Sequence, residues 1–201
     1  MSEADHAATP DPVDLRPAAE RLTALVGAIS QDDLGRPTPC EIPVSRLLAH
    51  IDGLALAFRV AAEDPDAPIL AVPPSVGRDV LEPGWEQRIP ERLDRLAQTW
   101  RTTPQDGAMT RVGGIDLPRS IAVQIALQEI VLHGWDLARS VDRSFDVEAG
   151  NLAVVHHMVR TIAESDAPRE GLFGPVVPVP DDAPVLDRTV GMAGRRPDWA
   201  A

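Results

Sequence analysis

Glu129 and His133 place a carboxylate and an imidazole four residues apart inside an otherwise apolar run. If this run is helical, both side chains lie on the same face of the helix. Burying such groups without partners costs roughly 2 to 7 kcal/mol for a polar group and more for a charge. A divalent metal ion would compensate both groups. An ion pair between them on a half-exposed face, worth about 0.2 to 0.5 kcal/mol, would also fit, and the spacing leaves both interpretations open.

Two further residues extend this pair into a candidate metal site. His50 lies at the margin of the apolar stripe of an earlier predicted helix and could face Glu129 and His133 across a helix pair. Three such ligands would leave the fourth position of a catalytic zinc site open. Neutral imidazole with a carboxylate suits Zn best but also accommodates Ni, Co or Fe. Asp136 lies on the same face of the predicted helix as Glu129. It could orient a metal-binding side chain through a hydrogen bond without binding the ion itself.

Hydrophobic periodicity predicts that helices carry these residues. The predicted helices span approximately residues 13–29, 44–62, 86–101, 118–142 and 147–164, with a short helical turn at 186–192. The fourth helix is apolar on nearly all sides, as a central buried helix should be, and Pro118 is predicted at its first position. The sequence therefore predicts an all-α fold.

Prolines and glycines mark the connections between the predicted helices. Residues 36–43 contain three prolines and are predicted to form a loop. Residues 63–84 contain five prolines, which predicts a long crossover rather than a tight hairpin. Residues 108–112 and 115–117 flank a Gly-Gly pair and are predicted to be two short strands or extended segments. A proline-rich tail follows the fifth helix.

The 201 residues suffice for one domain whose core needs neither a disulfide nor a metal in order to fold. We assign residues 1–11 to a disordered lead-in and residues 12–201 to a single domain. The net charge of −12 argues against nucleic acid and anionic membranes as partners, because both require basic surfaces. The sequence shows neither an apolar run of transmembrane length nor a signal-peptide pattern, which predicts a cytoplasmic protein.

Cys40 is the only cysteine of the chain, so an intramolecular disulfide cannot form. A single cysteine fits the reducing cytoplasm. Its proline-bounded loop is compatible with a reactive thiol. Because no base lies near it in sequence, we interpret Cys40 as a small buried or half-buried residue.

Several segments, taken together, match the pattern of a known family. They are Thr38-Pro39-Cys40, Val44-Ser45-Arg46-Leu47-Leu48-Ala49-His50, Glu129-Ile130-Val131-Leu132-His133-Gly134-Trp135-Asp136-Leu137-Ala138, Phe173-Gly174-Pro175, Pro178-Val179-Pro180-Asp181-Asp182-Ala183-Pro184 and Gly194-Arg195-Arg196-Pro197-Asp198-Trp199. Through them the chain resembles the DinB-like, mycothiol-dependent maleylpyruvate isomerase N-terminal (metal-binding) family. The resemblance covers nearly the whole chain.

The resemblance implies a DinB-like four-helix bundle with a long crossover. It also implies a divalent metal, usually zinc, held by His50, Glu129 and His133. The implied co-substrate is a low-molecular-weight thiol, mycothiol in the actinobacteria that make it, whose sulfur attacks a small electrophile. Zinc deprotonates a coordinated thiol and so supplies thiolate at neutral pH.

Two departures from the family pattern affect the expected activity. Ile42 stands where the family has a tryptophan before the second helix, and no room remains for the second domain of the full isomerase. We therefore expect a thiol-dependent transferase or isomerase, with thiol transfer favoured over isomerisation. Two rivals stay open: a bundle that holds a metal or ligand without turnover, as a sequestering or resistance protein does, and a bundle without metal.

Overall fold

Helices and one short β-hairpin form the regular structure of the chain. The computed structural model describes residues 12–72, 80–165 and 173–201, so the predicted lead-in 1–11 lies outside the described residues. The elements are α1 (Arg16–Val26), a 3-10 turn (Gln31–Gly35), α2 (Val44–Glu63), a second 3-10 turn (Pro68–Ala71), α3 (Trp85–Thr102), β1 (Met109–Val112), β2 (Ile115–Pro118), α4 (Arg119–Ser140), α5 (Ala149–Glu164) and α6 (Val185–Met192).

The prediction of an all-α fold is confirmed, and the main difference in the helices concerns α1. This helix is shorter at both ends than the predicted span of 13–29. After it, the carboxylate of Asp33 accepts hydrogen bonds from the backbone N–H (2.9 Å) and hydroxyl (2.7 Å) of Ser30. This local capping stabilises a separate 3-10 turn, because the side chain competes for backbone donors that a longer helix would need.

Pro118 is the last residue of β2 rather than the first residue of α4, which corrects the sequence prediction. It pairs with Met109 at the open end of the antiparallel hairpin. The helix begins at Arg119, whose N–H donates to the carbonyl oxygen of Ala108 at 2.9 Å. Proline suits this place because it lacks the N–H that an inner strand position would need. The predicted pair of short strands is confirmed.

The first four helices form a bundle in which α1 lies diagonally opposite α2, and α3 lies diagonally opposite α4. Helices α1 and α2 each pack against both α3 and α4. The connections that span the diagonals are residues 27–43 and 103–118. The long connection from α2 to α3 joins helices that are in contact, and its described part includes the turn Pro68–Ala71. Residues 73–79 of the crossover lie outside the described residues. In this bundle arrangement, α2 lies alongside α4, the helix that carries Glu129 and His133.

Helix α4 is the central element of the molecule. Its second half is buried on nearly all sides, as its composition predicts, since α1 and α2 cover one side and α5 covers another. Helix α6 packs on α5 and leads into the C-terminal segment. In the described ranges no helix, α4 included, combines the length and hydropathy needed to cross a bilayer.

Candidate metal centre

The structure brings His50, Glu129 and His133 together where α2 faces α4. Helix α4 supplies Glu129 and His133, and the Oε2 atom of Glu129 lies 3.0 Å from the Nε2 atom of His133. Helix α2 supplies His50, whose ring centroid lies 5.1 Å from that of His133 in an edge-to-face arrangement. One potential ligand atom of each residue lies within 4.8 Å of the other two.

The donor set fits a divalent cation. His50 is 3% exposed, and its Nδ1 atom has no hydrogen-bond partner among the described residues. A buried nitrogen without a partner is costly, and coordination to a metal would remove that cost. Two imidazoles and a carboxylate are also a ligand set that catalytic zinc uses. Glu129 keeps 24% of its side chain exposed, which identifies the side from which a ligand could approach.

The two histidines have opposite pKa shifts. Burial, followed by repulsion from His133, lowers the pKa of His50 from 6.5 to about 4, although Glu129 opposes the shift. Burial alone would also lower the pKa of His133, but hydrogen bonds with Asp136, Cys40 and Glu129 raise it well above 6.5. In the metal-free protein at neutral pH, His50 is therefore neutral, and His133 carries a proton between two carboxylates.

Asp136 contacts His133 on the side opposite Glu129. Its side chain is fully buried, and its Oδ2 atom lies 3.1 Å from the Nδ1 atom of His133. Burial would raise the pKa of Asp136, but the charge of Arg195 and the bond with His133 outweigh it and lower the pKa. The ionised carboxylate can therefore hold the Nδ1 proton of His133, which orients Nε2 toward Glu129.

Cys40 also lies at the centre, although the sequence analysis placed no base near it. The residue is half-buried, as expected. Its sulfur, a ring nitrogen of His133 and a carboxylate oxygen of Asp136 all lie within 4.8 Å of one another. The loop that carries Cys40 is held by Thr38, whose hydroxyl donates to the carbonyl oxygen of Ile42 at 2.7 Å and lies 3.1 Å from the cysteine sulfur.

Sequence reasoning missed Cys40 and Arg195 as parts of this centre. Both lie in segments that carry the family resemblance, Thr38-Pro39-Cys40 and the segment that begins at Gly194. That resemblance was the available signal. No helical or strand spacing relates residues so distant in sequence to His133, so the pattern of residues alone could not place them there.

A family model described as the mycothiol maleylpyruvate isomerase N-terminal domain matches residues 15–138, which is more than half of the chain. The chain belongs to this family. The matched range contains all four predicted site residues, His50, Glu129, His133 and Asp136, whereas Arg195 lies outside it. No curated protein sequence matches the chain.

Solved structures share the fold of this member of the isomerase N-terminal domain family. They include a crystal structure of the mycothiol-dependent maleylpyruvate isomerase and one of its histidine-to-alanine mutant. Each has a TM-score of 0.57 and 18% sequence identity, and the alignment covers 72% of this chain and 66% of the other. The chain thus spans slightly less than two thirds of that isomerase. At this identity, the similarity establishes the DinB-like fold.

A cavity of about 520 Å³ lies beside the first turns of α2 and α3 in this family member. Its polar lining includes Gln31, Ser45, Arg46 and Glu86. Arg46 precedes His50 by one helical turn, so the two side chains project from the same face of α2. The volume is within the range of about 300 to 1,000 Å³ that is typical of small-molecule sites.

Proposed function

We propose that this protein is a metal-dependent enzyme that uses a low-molecular-weight thiol of the mycothiol class to attack a small electrophile. The observation that carries the proposal is the convergence of His50, Glu129 and His133, with a buried unpaired nitrogen on His50. Membership of a family named for a mycothiol-dependent isomerase domain supports the choice of thiol. Zinc is the proposed metal because it suits this donor set and holds an open coordination position.

Each residue of the centre has a distinct part in this proposal. His50 offers a nitrogen that is already neutral, and Glu129 offers a carboxylate on the accessible side of the centre. Asp136 holds the Nδ1 proton of His133 and so leaves Nε2 to face the ion. A bound zinc ion would lower the pKa of a coordinated thiol and make thiolate available at neutral pH.

The body of the thiol is proposed to lie in the cavity beside Arg46. Gln31, Ser45 and Arg46 offer amide, hydroxyl and guanidinium groups to a ligand that carries hydroxyl or carboxylate groups, and the rest of the wall is mostly apolar. Because Arg46 and His50 are one turn apart on α2, we propose that one molecule extends from this cavity along the helix and reaches the centre with its sulfur. We also propose a cytoplasmic location, which the single cysteine supports.

Elemental analysis of untagged protein tests the metal. We expect equimolar zinc in the wild type and a loss of zinc in His50→Ala. The matched control is His157→Ala, which removes an exposed imidazole on α5 and should retain the metal. A zinc content near zero that His50→Ala leaves unchanged would overturn the metal proposal and leave a metal-free bundle.

Thiol chemistry is tested by incubating the zinc-loaded protein with mycothiol and a panel of electrophiles that includes maleylpyruvate. Stoichiometric loss of thiol with formation of an adduct would identify a transferase. Conversion of the electrophile with the thiol regenerated would identify an isomerase. Loss of thiol at the uncatalysed rate across the panel, without isomerised product, would instead favour a sequestering protein that holds metal without turnover.

A further inference from the structure

Arg195 is a buried cation that the C-terminal segment brings to the metal centre from outside the matched domain. Only 9% of the residue is exposed. Its Nη2 atom lies 3.0 Å from Oδ2 of Asp136, and its Nε atom lies 3.3 Å from Oδ1. The Nη1 atom donates to the carbonyl oxygen of Ala193 at 2.8 Å. Each guanidinium nitrogen therefore has an acceptor in a fixed geometry.

The backbone that carries Arg195 is tightly held. Gly194 has φ +84°, and a Cβ atom at that position would lie 2.8 Å from the backbone of Gly174. The N–H of Arg195 donates to the carbonyl oxygen of Val190 at 2.9 Å. Only glycine combines this φ with so close a contact between two backbones. The position of the guanidinium is thus fixed by the fold.

The imidazole of His133 lies between two possible metal sites. One comprises His50, Glu129 and His133, and the other comprises Cys40, His133 and Asp136. Nε2 of His133 faces Glu129 at 3.0 Å, whereas Nδ1 faces Asp136 at 3.1 Å. A ligand set that contains a thiolate is attractive to zinc. The ligand atoms alone would therefore allow an ion on either side of the ring.

Charge distinguishes the two sides. Arg195 holds a permanent positive charge next to Asp136. Its guanidinium group occupies both carboxylate oxygens of Asp136 and repels a second cation on the Cys40 side. Among the described residues, Glu129 forms an ion pair with His133 and none with an arginine, although the charge of Arg195 also acts on it from a greater distance. Once His133 has released its Nε2 proton, the carboxylate of Glu129 is available to a metal ion, whereas both carboxylate oxygens of Asp136 stay bound to Arg195.

We propose that Arg195 is a positioning residue that keeps a divalent ion off the Cys40 side of His133. It neutralises Asp136, fixes the Nδ1 proton of His133 through that carboxylate, and so directs the ion to His50, Glu129 and Nε2. The inference rests on the proposed function only in that the protein binds a divalent ion. A segment outside the matched domain thereby completes a centre whose ligands all lie within it.

Cobalt(II) substitution in the full chain tests this inference, because a thiolate ligand gives cobalt a near-ultraviolet charge-transfer band. With a phosphine reductant in place of a thiol, we expect no such band in the wild type. Arg195→Met removes the cation and should produce the band, and Arg195→Met with Cys40→Ser should lose it. Arg195→Lys is the matched control and should lack the band, since it keeps the positive charge.

Cobalt affinity gives a second readout. In the Cys40→Ser background, where the alternative thiolate is absent, Arg195→Met should weaken cobalt binding by about 10- to 100-fold, because Asp136 no longer orients His133. Circular dichroism confirms folding. If Arg195→Met does not fold, Arg195→Gln, which is neutral and can still hydrogen bond to Asp136, takes its place in both comparisons.

Two results would overturn the inference. One is an Arg195→Met protein that binds cobalt with wild-type affinity and without a thiolate band, and the other is a wild-type protein that already shows the band. A wild type that binds no cobalt would instead refute the proposed function. Even then, cobalt that Arg195→Met binds through Cys40, seen as a thiolate band, would support the exclusion of a cation by Arg195. If neither the wild type nor Arg195→Met binds cobalt, the inference would be overturned.

Discussion

His50 connects the burial of a single side chain to the pH dependence of stability. Its pKa falls from 6.5 to about 4 on folding of the metal-free protein, so the unfolded chain binds more protons between these values. The cost of burying His50 in its neutral form is therefore absent above pH 6.5 and grows as the pH falls toward 4. The loss from this group is on the order of 3 kcal/mol. Urea unfolding at about pH 7, 5.5 and 4.5 should show it. In the control His50→Gln, the loss of stability that His50 causes at low pH should be absent. A pH dependence equal to that of the wild type would contradict the assignment of this loss to His50.

If the proposed metal site is correct, His133 determines how metal binding depends on pH. Its pKa in the metal-free protein lies well above 6.5, so its Nε2 proton must leave before coordination, whereas His50 is already neutral above its pKa of about 4. One proton should leave for each ion bound, and affinity should rise about tenfold per pH unit through neutrality. Competition with a chromogenic chelator measures this slope. A slope of zero would contradict imidazole ligation, and a slope of two would contradict the lowered pKa of His50.

At the level of elements, the first turns of α2 and α3 enclose the cavity proposed for the thiol. Arg46→Ala should remove a charged contact with the thiol and leave the metal ligands in place. We expect KM for the thiol to rise about tenfold or more, since a charge-assisted hydrogen bond contributes about 1.5 to 3 kcal/mol, with zinc content and kcat little changed. Arg101→Ala, at the far end of α3, serves as the control. An unchanged KM would remove this cavity from the thiol site.

Gly134 determines how closely α4 approaches the segment that follows it. A Cβ atom at this position would lie 2.7 and 2.8 Å from two ring carbons of the buried Phe145. Gly134→Ala should therefore destabilise the protein by about 1 to 3 kcal/mol, despite the gain of about 1 kcal/mol from helix propensity. Chemical denaturation measures the change, and Gly134→Ala with Phe145→Leu should recover part of it. Gly27→Ala, where a Cβ meets only ordinary contacts at 3.6 Å, should be neutral or slightly stabilising.

For the whole molecule, the extended core predicts that the fold does not depend on the metal. Most buried apolar residues of the four-helix bundle form one continuous cluster, and Ala57, Ala61 and Leu70 form a small second one. Removal of zinc with a chelator should leave the far-ultraviolet circular dichroism spectrum unchanged while lowering Tm. Zinc at about 100 times its Kd should restore about 2.7 kcal/mol of stability. Loss of helical signal on chelation would show that the ion is instead required for folding.

Local rules in the sequence determine the elements and half of the candidate metal centre. Helical periodicity and proline positions depend on neighbouring residues, and they predict the helices and the short hairpin without tertiary information. The Glu129 to His133 contact is likewise local, because residues four apart share a helix face. Pro118 was misplaced since its φ of −59° suits both a helix start and an extended residue, and the local signal does not distinguish them.

Tertiary packing decides the rest of the centre. His50 reaches His133 because α1 and α2 lie diagonally opposite each other in the bundle, which sets α2 beside α4. Arg195 reaches Asp136 from 59 residues away, through a close approach of two backbones at glycines. Contacts of this kind depend on which distant surfaces pack together, and no periodicity of the chain encodes them. Local sequence patterns thus specify a helix with a candidate ligand pair, whereas the packing of distant surfaces brings His50, Cys40 and Arg195 around that pair.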